Sequence, residues 1–225
     1  MFTWPFFLAI AFAFLDWAST WKGWKKRLYI AKPATLLLLI LWTLQVSHWQ
    51  GHMLWFGLGL CLSLLGDIAL MLSPRFFMAG LGSFLLAHVA YLIGFNQQPA
   101  PFSMGVALVA VMVGLVASIV LRTLRPGIMR APHGKRFLTA VTLYGGTLTL
   151  MLLSALITLF RPEWQPLHAL LASIGAALFF TSDSLLAYDR FVRKLKHGQS
   201  YVHITYHVGQ ACLIIGAMWH WISLT

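Results

Sequence analysis

Apolar stretches of about twenty residues, enough for a helix to cross a hydrocarbon core, recur eight times along this chain. They cover roughly 3–20, 28–46, 54–72, 76–95, 101–121, 136–159, 165–188 and 200–223. Short polar punctuation separates them: Ser73-Pro74-Arg75, Gln97 to Pro101, Arg125-Pro126-Gly127, Arg161-Pro162 and His197-Gly198. The pattern predicts an all-α fold, a polytopic membrane protein built as a single bundle of eight transmembrane helices. One domain, residues 1–225, takes up the whole chain. The first stretch, apolar from Phe2 to Leu15, has no Lys or Arg before it. It reads as a first span rather than a signal peptide. No soluble domain fits between the spans.

Composition agrees. The chain is 60% hydrophobic and 9% charged, where soluble domains carry about 25% charge. The formal net charge of +11 invites a nucleic-acid reading, but its distribution argues against one. Lys22, Lys25, Lys26 and Arg27 follow the first span, with Lys32 just inside the second. Arg75 sits in the third connection, and Arg122, Arg125, Arg130, Lys135 and Arg136 surround the fifth. The seventh carries Arg190, Arg193, Lys194 and Lys196. Of the 16 basic residues only Arg161 falls on the other side. By the positive-inside rule the odd connections face the cytoplasm and both termini lie outside. Trp4, Trp49, Trp55, Trp164, Trp219 and Trp221 gather near the outer ends, as an interfacial belt would. The expected location is a bacterial inner membrane. Cys61 and Cys212 fall in spans and read as buried free thiols.

Against this background two acids stand out. The chain holds only 5 Asp+Glu, yet Asp67 and Asp183 lie inside apolar spans. A charge there costs at least about 2.5–3.5 kcal/mol on insertion scales, so an intramembrane acid marks a functional site. Topology turns position into depth at about 1.5 Å per residue. Asp67 and Asp183 then lie at one level, with Asp16, Lys32, Tyr206, His207 and Gln210 in the same layer. His88 and Tyr91 lie nearer the middle of the fourth span and share a face. Lys32-Pro33 suggests a fixed turn at a span entrance. The expected site opens toward the cytoplasmic leaflet.

Two acids at one depth suit proton transfer, one protonated as general acid and one ionised as base. Three other chemistries compete. His203 and His207, four apart on one helix face, resemble half of a zinc hydrolase site. Two facing acids suit an intramembrane aspartyl protease, but Leu64 stands where the Gly-x-Gly-Asp signature needs its first glycine. A proton-coupled transporter also uses intramembrane acids, though no pair of interrupted helices marks one.

An ordered set of motifs favours the first chemistry. Lys32-Pro33 before a leucine run, Leu65-Gly66-Asp67, Gly82-Ser83-Phe84-Leu85-Leu86-Ala87-His88-Val89-Ala90-Tyr91, Phe180-Thr181-Ser182-Asp183, and Tyr206 with Gln210 span nearly the whole chain. Together they resemble the YhhN/TMEM86 family of eight-span lysoplasmalogenases. The resemblance implies hydrolysis of the vinyl ether of a lysoplasmalogen to a fatty aldehyde and a glycerophospho-ethanolamine or -choline. It implies Asp67 and Asp183 as catalytic acids, with Lys32, His88 and Tyr206 in the pocket. Tyr91, Ser182, Gln210 and Asp16 complete the expected substrate-binding set. No metal or cofactor is expected, and the partners are a lysophospholipid and membrane lipids, not nucleic acid. Vinyl ethers resist base and yield to acid, so a protonated carboxyl suits this bond. Arg75, Lys22 or Lys32 is expected to meet the substrate phosphate.

Overall fold

The computed structural model describes residues 1–223, apart from the side chains of Lys25 and Pro74. Leu224 and Thr225, the last positions of the expected domain, lie outside the described residues, as does the side chain of Lys25 counted in the first basic cluster. The described chain is helical apart from the connections: α1 (Trp4–Lys22), α2 (Lys25–Ser47), α3 (Met53–Met71), α4 (Phe77–Phe95), α5 (Met104–Arg130), α6 (Gly134–Ile157), α7 (Pro166–Phe191) and α8 (Gly198–Ile222). Six of them, α2 to α7, are long and apolar enough to cross a membrane. Helices α1 and α8 fall short of that apolarity. Helix α8 carries His203, Tyr206, His207, Gln210 and His220, all buried. Residues 203, 207 and 210 recur at helical spacing and share the face turned into the bundle.

Helix boundaries follow the apolar pattern to within a few residues, with one large departure. Helix α5 runs through Arg125-Pro126-Gly127, a predicted break, to Arg130. Packing overrides the proline. Leu124 and Ile128 bury against Val141 with Phe191 alongside, and Gly127 comes so close to α7 that a Cβ there would meet the Phe191 carbonyl. Pro126 removes one hydrogen bond, while this contact holds the last turns in place. Pro33 likewise lies inside α2 rather than at a turn. The helix begins a full two turns earlier, and Lys32 points inward from its buried side.

Consecutive helices pair antiparallel, α1 with α2, α3 with α4, α5 with α6 and α7 with α8. The last pair approaches closest. A Cβ on Gly175 would overlap the backbone of Leu213, and one on Gly216 the backbone of Ala172. Such small-residue seams let membrane helices touch through their main chains. The seam brings the polar face of α8 against α7.

The basic connections share one end of the bundle. There Phe77 at the start of α4 meets Phe137 of α6 and Phe191 of α7. At the opposite end Phe2 stacks on Trp42, and Trp164 stacks on His220 at 3.8 Å. Trp164 is therefore buried rather than part of a belt facing lipid, whereas Trp4 is 60% exposed. Both cysteines are free thiols.

Candidate active site

The polar residues of the basic half assemble into three groups. In the first, α2 and α3 meet through charge. Lys32 Nζ lies 2.8 Å from Asp67 Oδ1, with the carboxylate fully buried. The contact is a close charge pair rather than an aligned hydrogen bond. Lys32 also lies 5.2 Å from the centre of the Tyr206 ring. Gln210 Nε2 reaches the Tyr206 hydroxyl at 3.5 Å, and the Tyr91 hydroxyl donates to Gln210 Oε1 at 2.9 Å. Five residues expected at the site are thereby joined: Lys32, Asp67, Tyr91, Tyr206 and Gln210.

The second group joins α4, α6 and α7. His88 Nε2 lies 3.5 Å from Asp183 Oδ2 and 3.0 Å from the Tyr144 hydroxyl. Tyr144 in turn donates a hydrogen bond to Asp183 Oδ2. The Tyr144 hydroxyl is thus shared between His88 and Asp183. His88 Nδ1 has no hydrogen-bond partner among the described residues. Tyr144 was not among the residues the sequence pointed to. Its only signal is a lone tyrosine beside Gly145-Gly146 in an apolar span.

The third group links α1 to α8. His203 Nδ1 donates to Asp16 Oδ2 at 2.7 Å, and His207 Nδ1 lies 3.7 Å from the same oxygen. Trp17 Nε1 donates to His207 Nδ1 at 3.2 Å. Asp16 thus meets the two histidines considered as zinc ligands. Its close oxygen is engaged in hydrogen bonding, and among the described residues no group of three or more His, Cys, Asp or Glu is placed to hold a metal ion. Ser182 is bonded to none of the three groups. It is buried and donates to the Val202 carbonyl at 3.0 Å, tying α7 to α8.

The second group opens to a cavity. About 420 Å³ of space lies among α4, α5, α6 and α7, lined by Leu81, Phe84, Leu121, Leu148 and Phe180 with Tyr144 and Asp183 in the wall. The Asp183 side chain is 13% exposed. Asp67 is not part of the lining. Phe84 accounts for the separation. Its ring lines the cavity, sits where a Cβ on Gly66 would be, and packs edge-on to Tyr206 at 5.9 Å. Phe179 completes the partition, contacting His88 on one side and Tyr206 on the other. The arrangement offers a carboxyl and a phenol at an apolar surface, with a fully buried imidazole beside them. A buried charge pair stands behind one layer of aromatic rings.

Apart from Asp16 and Trp17, these residues lie within the part of the chain, 28–217, that matches a model of the YhhN family. The protein belongs to the YhhN family. A relative named "Uncharacterized membrane protein YhhN" from Escherichia coli O6:H1 is 28% identical over 212 residues, covering 94% of this chain and 97% of that protein. "Lysoplasmalogenase TMEM86B" of Mus musculus is 30% identical over 217 residues, covering 95% of this chain and 85% of its own. The Homo sapiens protein of that name is 28% identical over 216 residues, covering 95% and 85%. No solved structure matches the chain. As a member of the YhhN family it is an integral membrane protein with several apolar helices.

Proposed function

We propose that this YhhN-family protein is a membrane-embedded hydrolase that cleaves the vinyl ether of lysoplasmalogens. One observation carries the reading: the Asp183 carboxyl, bonded to Tyr144 and beside His88, opens into an apolar cavity. Relatives named lysoplasmalogenase support it. In this reading all eight helices cross the bilayer, both termini lie outside, and the cavity opens toward the cytoplasmic leaflet. The clustering of basic residues at one end of the bundle supports that orientation.

The chemistry follows from a mobile proton at an apolar surface. Asp183, in its protonated form, gives its proton to the outer alkene carbon of the enol ether. The double-bond electrons form the new C–H bond, and an oxocarbenium ion develops on the ether side. The Asp183 carboxylate left behind faces that cation and stabilises it. Water adds to the cationic carbon and returns a proton to Asp183, with Tyr144 and His88 sharing the charge. The resulting hemiacetal collapses to a fatty aldehyde and the glycerol hydroxyl. Proton count and electrons balance, and no metal enters any step. Asp67 acts as the second acid of the pair. It stands beside Lys32, behind the Phe84 ring that lines the cavity.

The test is release of fatty aldehyde from a lysoplasmalogen by monodisperse protein in detergent. Turnover by wild-type protein, lost in Asp183→Asn, is the expected result. No aldehyde from folded wild-type protein on any alkenyl lipid overturns the reading and favours a transporter.

A further inference from the structure

Two charged residues line the apolar cavity, Asp183 and Arg190, and both belong to α7. They are seven residues apart, two turns on one face, or roughly 10 Å along the axis. Arg190 is held by aromatic rings. Its Cζ lies 3.7 Å from the centre of the Phe77 ring and 5.8 Å from that of Phe191. Stacking fixes the plane of a guanidinium while leaving its N–H edges free to donate. The acid next to it in sequence is already engaged. Asp189 accepts from Lys194 Nζ at 2.7 Å and from the Leu195 amide at 2.8 Å. Arg190 has no anionic partner among the described residues, yet sits exposed at the edge of a greasy pocket.

We propose that Arg190 is a phosphate-binding residue, taking the phosphodiester of a lysophospholipid headgroup while the enol ether lies against Asp183. The proposal rests on the vinyl-ether reading above and adds what measures the substrate. In such a lipid seven bonds separate the phosphorus from the outer alkene carbon that takes the proton, roughly 8 Å when extended, a span of the same order as the two-turn separation on α7. The alkenyl chain then runs on into the apolar part of the cavity, past Tyr144 toward Leu148. A planar guanidinium suits a phosphodiester because two parallel N–H bonds can engage two oxygens. The cations expected from sequence to take this role are placed elsewhere. Lys32 pairs with Asp67, Lys22 lies over Trp24, and Arg75 lies over Phe76. None of them lines the cavity.

The test compares two substrates with full-length protein in detergent: a lysoplasmalogen with its ethanolamine phosphate, and the same 1-alkenyl glycerol without phosphate. Arg190→Gln is expected to raise KM for the phospholipid about 10–100-fold, the range for a hydrogen bond to a charged group, with kcat little changed. KM for the alkenyl glycerol should not move, and Arg190→Lys should fall between. An unchanged KM, or equal losses on both substrates, overturns the proposal. A second arm needs no turnover. Binding of an alkyl-ether lysophosphatidylethanolamine, which has no vinyl bond, should weaken by the same factor in Arg190→Gln. That weakening with no aldehyde release from wild-type protein keeps the phosphate site and rejects the vinyl-ether reading. Equal binding by wild type and variant rejects the site. Inorganic phosphate is the third arm. Competitive inhibition at concentrations matching the lipid KM, abolished in Arg190→Gln, would assign the site to free phosphate and overturn the headgroup assignment.

Discussion

Lys32 reaches from α2 to α3 and sets its ammonium nitrogen 2.8 Å from Asp67 Oδ1, the two side chains being 10% and 0% exposed. Each charge is tolerated at that depth because the other is there. Asp67→Asn therefore leaves a buried ammonium without its counter-charge, a loss of about 3–5 kcal/mol. The expected result is a clear drop in the unfolding temperature in detergent. The double variant Lys32→Met with Asp67→Leu should recover most of it, since an apolar pair restores balance. Asp67→Asn as stable as wild type would show that the pair contributes nothing to the fold.

Asp183 and Tyr144 face the cavity together, so their variants should separate chemistry from folding. Asp183→Asn cannot donate a carboxyl proton, and aldehyde release should fall by at least about 10²-fold, the scale of general acid–base roles. Tyr144→Phe keeps the ring and loses the hydroxyl between His88 and Asp183. Its activity should fall roughly 10-fold or more, with stability changed by only about 1 kcal/mol. If Asp67 and Asp183 act as one unit, the Asp67→Asn, Asp183→Asn protein should be little slower than the slower single variant. Rates are compared at equal amounts of folded protein. Full turnover by Asp183→Asn would end the proposed mechanism.

The close passage of α5 over α7 makes its own prediction. A methyl at position 127 would press on the Phe191 carbonyl. Gly127→Ala should cost about 1–3 kcal/mol as an overpacked contact. Gly114→Ala, on the same helix with open space around it, is the control and should be neutral or slightly stabilising. Thermal unfolding of the two variants decides it, and equal stabilities would contradict the packing described.

Histidines at the Asp16 group are expected to matter for stability rather than as metal ligands. His203→Ala strips Asp16 of its 2.7 Å partner and leaves a buried carboxylate short of a donor, at about 1–3 kcal/mol. Chelator should leave both activity and unfolding temperature unchanged. Stoichiometric zinc in active protein, with activity lost on its removal and restored on its return, would replace this account with a metal hydrolase.

Orientation can be read by labelling. Pro132 is exposed in the α5–α6 connection. With Cys61 and Cys212 replaced, Pro132→Cys should escape a membrane-impermeant thiol reagent in intact cells and react after permeabilisation. Labelling in intact cells would reverse the topology, and with it the leaflet the cavity opens to.

Sequence by itself determined the class of this protein. Runs of twenty apolar residues leave a chain few options in lipid, because backbone groups must be satisfied within each helix. Helices α1 to α4 and α6 to α8 accordingly begin and end close to where the pattern places them. The rarity of acids likewise made Asp67 and Asp183 visible, since burial of a charge is costly enough to need a reason. The layer of polar groups was legible from position along the helices alone. What remained hidden was direction around the helix and distance across the bundle. No pattern says that Lys32 turns to Asp67, or that Tyr144 of α6 comes between His88 and Asp183. Nor does it say that Phe84 walls Asp67 off from the cavity. Pro126 marks a break by local rules, yet α5 continues past it because Gly127 and Ile128 are packed against other helices. Arg190 reads as one more loop charge until Phe77 and Asp183 stand on the same cavity wall. Side-chain partners in a bundle are set by helix rotation and close approach, which depend on small residues such as Gly175 and Gly216 meeting backbone elsewhere. Only the tertiary structure brings those together.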